Sequence, residues 1–105
     1  MPHAEPLKIL IVDDEPLARA RLRELLTDIS VQFSSEVAGE AGNGIAGLEF
    51  LRDHPVDVVL ADIRMPGMDG IEMAGHLGAM EKPPAVIFTT AYDNYAVQAF
   101  DLNAV

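Results

Sequence analysis

Four short runs of aliphatic and β-branched residues, each followed by a stretch of helical periodicity or its beginning, constrain the fold of this chain more than any other feature. The first, LKILIV at 7–12, is almost continuously apolar, as expected of a strand covered on both faces. It ends on DDE. Pro16 then suits the first turn of a helix in which Ala18, Leu22, Leu25, Leu26 and Ile29 share one apolar stripe. EVAGEA at 36–41 reads as a second strand, and Asn43 can cap a helix whose Ile45, Leu48 and Leu51 point one way. VDVVLAD at 56–62 reads as a third strand. Asp69 and Glu72 have capping-box spacing ahead of Ile71, Ala74 and Leu77, so a third helix is expected from Asp69. PPAVIFTTA at 83–91 gives a fourth strand, and Asp93 opens a helix running to Phe100 or Leu102. Strands alternating with helices at this spacing imply right-handed crossovers, an α/β class and a doubly wound parallel sheet with helices on both faces.

At 105 residues the chain suits one domain, expected over 7–105 behind an N-terminal tail at 1–6. Half of its residues are hydrophobic, which fits a packed core. Seventeen acidic residues against seven basic ones give a net charge of −10, which repels phosphate backbones and anionic membranes, so no direct nucleic-acid or membrane contact is expected. No cysteine is present, so disulfide and thiolate chemistry are excluded. MPHAEP lacks the basic-then-apolar order of a signal peptide, and no apolar run approaches the roughly 20 residues of a membrane span. A cytoplasmic location is the expectation.

In an open α/β sheet, ligands bind beyond the carboxyl ends of the strands, where the strand order reverses. Asp13 and Asp14 end the first strand and Asp62 ends the third. If those strands are neighbours, three carboxylates meet in one pocket, where mutual repulsion favours a hard divalent ion such as Mg²⁺. Any one Asp after a strand is ordinarily a cap or loop residue; it is the set that argues for a site. Thr89 and Thr90 close the fourth strand, and alternation puts one hydroxyl of the pair on each face.

The segments ILIVDDEPLARARL, VVLADIRMPGMDG and VIFTTAYDNYAVQAF, in this order, resemble a response-regulator receiver (CheY-like) domain, and with the intervening helices the likeness covers nearly the whole chain. VDDEPLAR together with TAYDNYAVQAF further resembles the LytTR/AlgR branch, in which a receiver precedes a DNA-binding domain. The resemblance implies a flavodoxin-like strand order 2-1-3-4. It also implies that Asp62 accepts a phosphoryl group from a phosphohistidine on a sensor histidine kinase, and that Asp13, Asp14, Asp62 and the backbone carbonyl of Arg64 hold Mg²⁺. Thr90, directly before Ala91, would hydrogen-bond the phosphoryl group and act as the switch, with Thr89 a strand filler and Tyr92 a gate beside the pocket. Met65, Pro66 and Gly67 form the active-site loop, whose restricted and permissive positions let it curl back over the site.

The family pattern continues into a fifth strand bearing a Lys-Pro pair and a fifth helix, and both are missing here, since the sequence stops at Val105. Lys82 and Pro83 precede the threonine-bearing strand, so Lys82 reads as a solvated loop cation and not as the family lysine. A chain truncated in this way is expected to phosphorylate weakly or not at all, and to associate as a homodimer or swapped oligomer through its exposed edge. Arg19, Arg21 and Arg23 read either as a solvated helix face beside Glu24 or as a kinase-docking face; His3, His54 and His76 read as surface residues, and Tyr95 and Phe100 as core or dimer contacts. Two alternative functions stand beside the phosphoacceptor. One is a phosphate-independent interaction module. The other is a haloacid-dehalogenase-like phosphotransferase, against which DDEPL lacks the D-x-D spacing. Beyond self-catalysed transfer and dephosphorylation, no enzyme is expected.

Overall fold

The strand β1 (Leu7–Val12) sits in the middle of the sheet, because Ile9, Leu10, Ile11 and Val12 are all buried and successive residues of a strand can be buried only where both faces are covered. The structure, a computed structural model, describes residues 5–89. After β1 come α1 (Pro16–Asp28), β2 (Ser35–Ala41), α2 (Gly44–Asp53), β3 (Val58–Ala61), α3 (Gly70–Leu77) and β4 (Ala85–Phe88). All pairings are parallel and the order is β2-β1-β3-β4, so the chain moves outward from β1 to β2 and returns to the other side of β1 with β3. That reversal opens a crevice at the carboxyl ends of β1 and β3. The expected α/β class and the order 2-1-3-4 are both realised. The helix expected from Asp93 lies outside the described residues.

The two faces of the sheet bury different helices. Leu10, Val12, Val59, Ala61 and Val86 meet Leu51 of α2 and Met73 and Leu77 of α3, with Met65 closing one end. On the opposite face, Ile9, Ile11 and Leu60 receive Leu22 and Leu26 of α1. Asp57 joins three strand starts: its N–H donates to the Lys8 carbonyl, its carbonyl accepts from the Ala85 N–H, and its Oδ2 accepts from the Lys8 N–H at 2.8 Å.

Local chemistry explains the helix starts. Asn43 Oδ1 accepts from the Ala46 N–H and Asp69 Oδ1 from the Glu72 N–H, each at 2.8 Å, as their cap positions predict. Helix α1 starts on Pro16 without a side-chain cap. Two apolar stripes differ from expectation. In α1, Leu25 is 51% exposed and Ile29 43%, because Leu25 lies on the flank of the Leu22–Leu26 row and Ile29 falls at the C-cap. In α2, Ile45 is 53% exposed while Gly44 and Gly47 are buried. A Cβ on Gly47 would lie 3.2 Å from both Val12 Cγ2 and Met73 Sδ, so small residues, not large ones, form the close contact.

Arginines one turn apart on α1 are tied to the sheet. Arg19 Nε donates to Glu40 Oε1 at 2.8 Å and Arg23 Nε donates to Glu40 Oε2, joining α1 to β2. Arg19 and Arg23 thus form a structural clasp, while Arg23 stays exposed on the solvated face. The Arg23 hydrogen bond, opposed by partial desolvation and reinforced by Arg19, holds the Glu40 carboxyl below its ordinary value.

The loop between β3 and α3 is tightly closed. The Gly70 N–H donates to the Ile63 carbonyl at 2.8 Å, and a Cβ on Gly70 would lie 2.2 Å from the Asp62 carbonyl oxygen. Gly67 turns the loop at φ 75°, with open space around it. Gly70→Ala should therefore lower unfolding stability by about 1–3 kcal/mol through overpacking against backbone, and Gly67→Ala by about 1 kcal/mol through backbone strain, both read by urea denaturation. Because the folded Glu40 carboxyl is depressed, its contribution is present above the ordinary glutamate range and is lost as pH falls through it. Glu40→Gln should thus lower the thermal midpoint at pH 7, with the difference from the unaltered chain closing under acid.

Candidate functional site

Parallel pairing continues one residue past the strand ends. The Asp13 N–H donates to Ala41 O at 3.0 Å, the Asp62 N–H to Val12 O at 2.9 Å and the Thr89 N–H to Ala61 O at 3.0 Å. Because these bonds extend the pairing of Val12 with Ala61 and of Ala61 with Phe88, they set Asp13, Asp62 and Thr89 side by side at the carboxyl rim. A parallel ladder fixes these neighbours in register, so the Asp13 and Asp62 carboxylates come together as a consequence of backbone bonding.

Burial grades the three acids. Asp13 is 6% exposed, Asp62 is half-buried and Asp14 is exposed. Asp13 Oδ1 accepts from the Glu15 N–H at 2.9 Å, which turns the chain toward α1, and the Asp13 carbonyl accepts from Arg19 Nη1 at 2.6 Å. One carboxylate oxygen from each of Asp13, Asp14 and Asp62 lies within 4.8 Å of the others. Burial, and then the negative charge of Asp13, push the Asp62 carboxyl above its ordinary value; the backbone N–H groups of Arg64 and Ile63 oppose the shift, and Asp14 adds to it.

This donor set consists of hard oxygens alone. Three such oxygens gathered within 4.8 Å of one another suit a hard divalent ion such as Mg²⁺, which prefers oxygen ligands. A divalent cation would also relieve the repulsion that raises Asp62.

Of the loop residues expected at the site, Met65 is buried in the core, where it anchors the loop, while Pro66 and Gly67 are exposed. Arg64 is exposed, immediately beyond Ile63, which is fully buried. Lys82 is exposed in the loop ahead of β4, at the end of the strand opposite Thr89, as a loop cation should be. His54 and His76 are exposed on the ends of α2 and α3. Thr90, Tyr92, Tyr95 and Phe100 lie outside the described residues, as does His3. Sequence reasoning missed Arg19 as a partner of the Asp13 backbone. Its signal was faint: Arg19 and Arg23 are spaced to share a helix face, but nothing in that spacing identifies Glu40 or a carbonyl as the acceptor.

Comparison with known proteins agrees with this geometry. The family model described as the response regulator receiver domain matches residues 9–105. The positive alginate biosynthesis regulatory protein of Pseudomonas aeruginosa is 46% identical over 99 residues, covering 94% of this chain and 39% of that protein. The transcriptional regulatory protein LytR of Staphylococcus aureus is 45% identical over 98 residues, covering 93% of this chain and 39% of that protein. The chain thus spans about two fifths of the length of these relatives (39%). Among solved structures, the response regulatory domain of mrkE from Klebsiella pneumoniae superposes with TM-score 0.83 at 34% identity, covering 93% of this chain and 78% of that one. The receiver domain of the putative response regulator NarL from Mycobacterium tuberculosis gives TM-score 0.83 at 37% identity, covering 96% and 81%. With a reversed parallel sheet, an acidic cluster at its switch point and a family match over almost its whole length, the chain belongs to the response regulator receiver domain family.

Proposed function

We propose that this chain is the phosphoacceptor module of a two-component regulator, taking a phosphoryl group from the phosphohistidine of a sensor histidine kinase onto Asp62. The observation that carries this reading is the backbone register that sets Asp62 beside Asp13 with Asp14 in reach. In the transfer, a carboxylate oxygen of Asp62 attacks phosphorus, the phosphorus–nitrogen bond to the donor imidazole breaks, and the imidazole leaves. Water later cleaves the acyl phosphate, releasing phosphate and restoring the carboxylate. Phosphoryl transfer asks a protein mainly for in-line placement and charge neutralisation.

The chain's own residues supply placement. The Asp62 backbone is tied to Val12, and Gly70 packs directly on the Asp62 carbonyl, so the acceptor stands on a fixed base. Asp13, Asp14, Asp62 and the Arg64 backbone carbonyl would hold Mg²⁺, which when bound supplies the positive charge that carboxylate and phosphoryl oxygens need. Thr90 is assigned the hydrogen bond to the phosphoryl group and the switch, and Tyr92 the gate. Self-catalysed transfer and hydrolysis are the whole of its chemistry.

The same reading extends to residues 7–105 as the receiver unit of a longer transcription regulator, a view supported by the relatives' length and names. A net charge of −10 supports the absence of direct nucleic-acid contact by this part. Pairing with a second copy is supported by Ile87, 39% exposed on β4. Among the described residues no helix is long and apolar enough to cross a membrane, and a cytoplasmic site of action belongs to the proposal.

Incubation with acetyl phosphate and Mg²⁺, read by intact mass, should add one phosphoryl group to a longer chain that carries the family's Lys-Pro strand, and less or none to the 105-residue chain. Chelation of the metal or Asp62→Asn should abolish the gain. Persistent labelling of the Asn variant would reject Asp62 as acceptor, and no labelling of either the longer or the 105-residue chain would favour a phosphate-independent interaction module. A second expectation follows from the raised Asp62 carboxyl, whose ionisation costs folding free energy. That cost is absent below the ordinary aspartate value of about 3.9 and complete only above the raised one. Without divalent cations, Asp62→Asn should therefore raise the thermal midpoint at pH 7, and the gain should vanish at low pH.

A further inference from the structure

Arg19 makes two bonds of different kinds. Its Nε donates to Glu40 Oε1 at 2.8 Å, and its Nη1 donates to the Asp13 carbonyl at 2.6 Å. Glu40 gives its other oxygen to Arg23 Nε, so the carboxylate is gripped from both sides and orients the Arg19 fork. The Asp13 N–H, meanwhile, is held by Ala41, the residue after Glu40 on β2. Residue Asp13 is thus held on both sides, its N–H by the sheet and its carbonyl by Arg19.

That carbonyl belongs to the planar unit that carries the nitrogen and Cα of Asp14. Fixing its oxygen fixes the plane, and with it the direction in which Asp14 leaves the end of the strand. Asp14 is exposed, so packing supplies little of this order, yet its carboxylate lies within reach of those of Asp13 and Asp62. The arginine side chain is only 20% exposed, whereas that of Arg23 is 49% exposed. Arg23 shares the Glu40 clasp but has no bond to the Asp13 carbonyl among those described.

We propose that Arg19 is a positioning residue which, oriented by Glu40, locks the Asp13–Asp14 peptide so that both carboxylates face Asp62 before a divalent cation arrives. This rests on the metal-binding part of the proposed function. Charge and positioning pull in opposite directions here. A cation near a cation site weakens metal binding by repulsion, so loss of Arg19 through charge alone would tighten it. Loss of positioning would weaken it, as removal of an outer partner of metal ligands does by about 10–100-fold.

The test is a Mg²⁺ titration of the isotope-labelled 105-residue chain, followed by backbone amide shifts, on the unaltered protein, Arg19→Ala and Arg23→Ala. Arg19→Ala should bind about tenfold more weakly. Arg23→Ala, which removes the same unit charge but leaves Arg19 bonded to both Glu40 and Asp13, should stay within about twofold. Without metal, the Glu15 N–H that bonds Asp13 Oδ1 should exchange faster in Arg19→Ala alone. Should Arg19→Ala not fold, Glu40→Gln removes the orienting charge while keeping the arginine, and a weaker affinity is again expected. Equal or tighter Mg²⁺ binding by Arg19→Ala, or an equal loss in Arg23→Ala, would overturn the positioning role. No Mg²⁺ binding by the unaltered chain would overturn the metal reading itself, and the inference with it.

Discussion

Two backbone hydrogen bonds, from the Asp13 N–H to Ala41 and from the Asp62 N–H to Val12, tie the fold to the site. They belong to the sheet's own ladder, carried one residue beyond the strands. The apolar residues of β1 and β3 set the register because both faces are buried, and a slip by one residue would turn every side chain to the wrong face. The adjacency of two carboxylates at the rim is therefore maintained by the hydrophobic core beneath it. Their repulsion is small against the burial that enforces the register, and it adds to the desolvation that raises the Asp62 carboxyl.

The loop beyond Asp62 shows the same subordination of local preference to the site. Ile63 and Met65 are buried and hold its two sides to the core, while Gly70 leaves no room for a side chain above the Asp62 carbonyl. The backbone is thereby closely packed where the acceptor is attached, while Gly67, at φ 75° in open space, lies on the exposed turn. On the other side of the acidic cluster, a clasp from α1 to β2 does for Asp13 what Gly70 does for Asp62. Both acids stand on backbone that is held from more than one direction, which is the property a preformed cation or phosphoryl site requires.

Much of this was legible in the residues. Continuous apolar runs reported covered strands, Asn43 and Asp69 reported helix starts, and carboxylates at the ends of the first and third strands reported the pocket once a parallel order was inferred. Periodicity failed where backbone closeness mattered more than side-chain size. In α2, Gly44 and Gly47 make the near contact and Ile45 is turned outward, a choice that depends on how closely the helix sits on the sheet. The clasp was illegible for a related reason: Arg19 and Glu40 are distant in sequence, and a bond to a main-chain carbonyl leaves no mark on residue type. Thr90 and Tyr92 fall outside the described residues, so their roles rest on sequence resemblance.

The central claim is that the register places one particular carboxylate where a phosphoryl group is received. It is tested most directly by trapping the bond at its atom. In a longer chain that carries the Lys-Pro strand, borohydride reduction after treatment with acetyl phosphate and Mg²⁺ converts a phosphorylated aspartate to homoserine, and peptide mass spectrometry then locates the change. The account predicts homoserine at position 62, with Asp13 and Asp14 unmodified. Homoserine at position 13 or 14, with Asp62 intact, would contradict it.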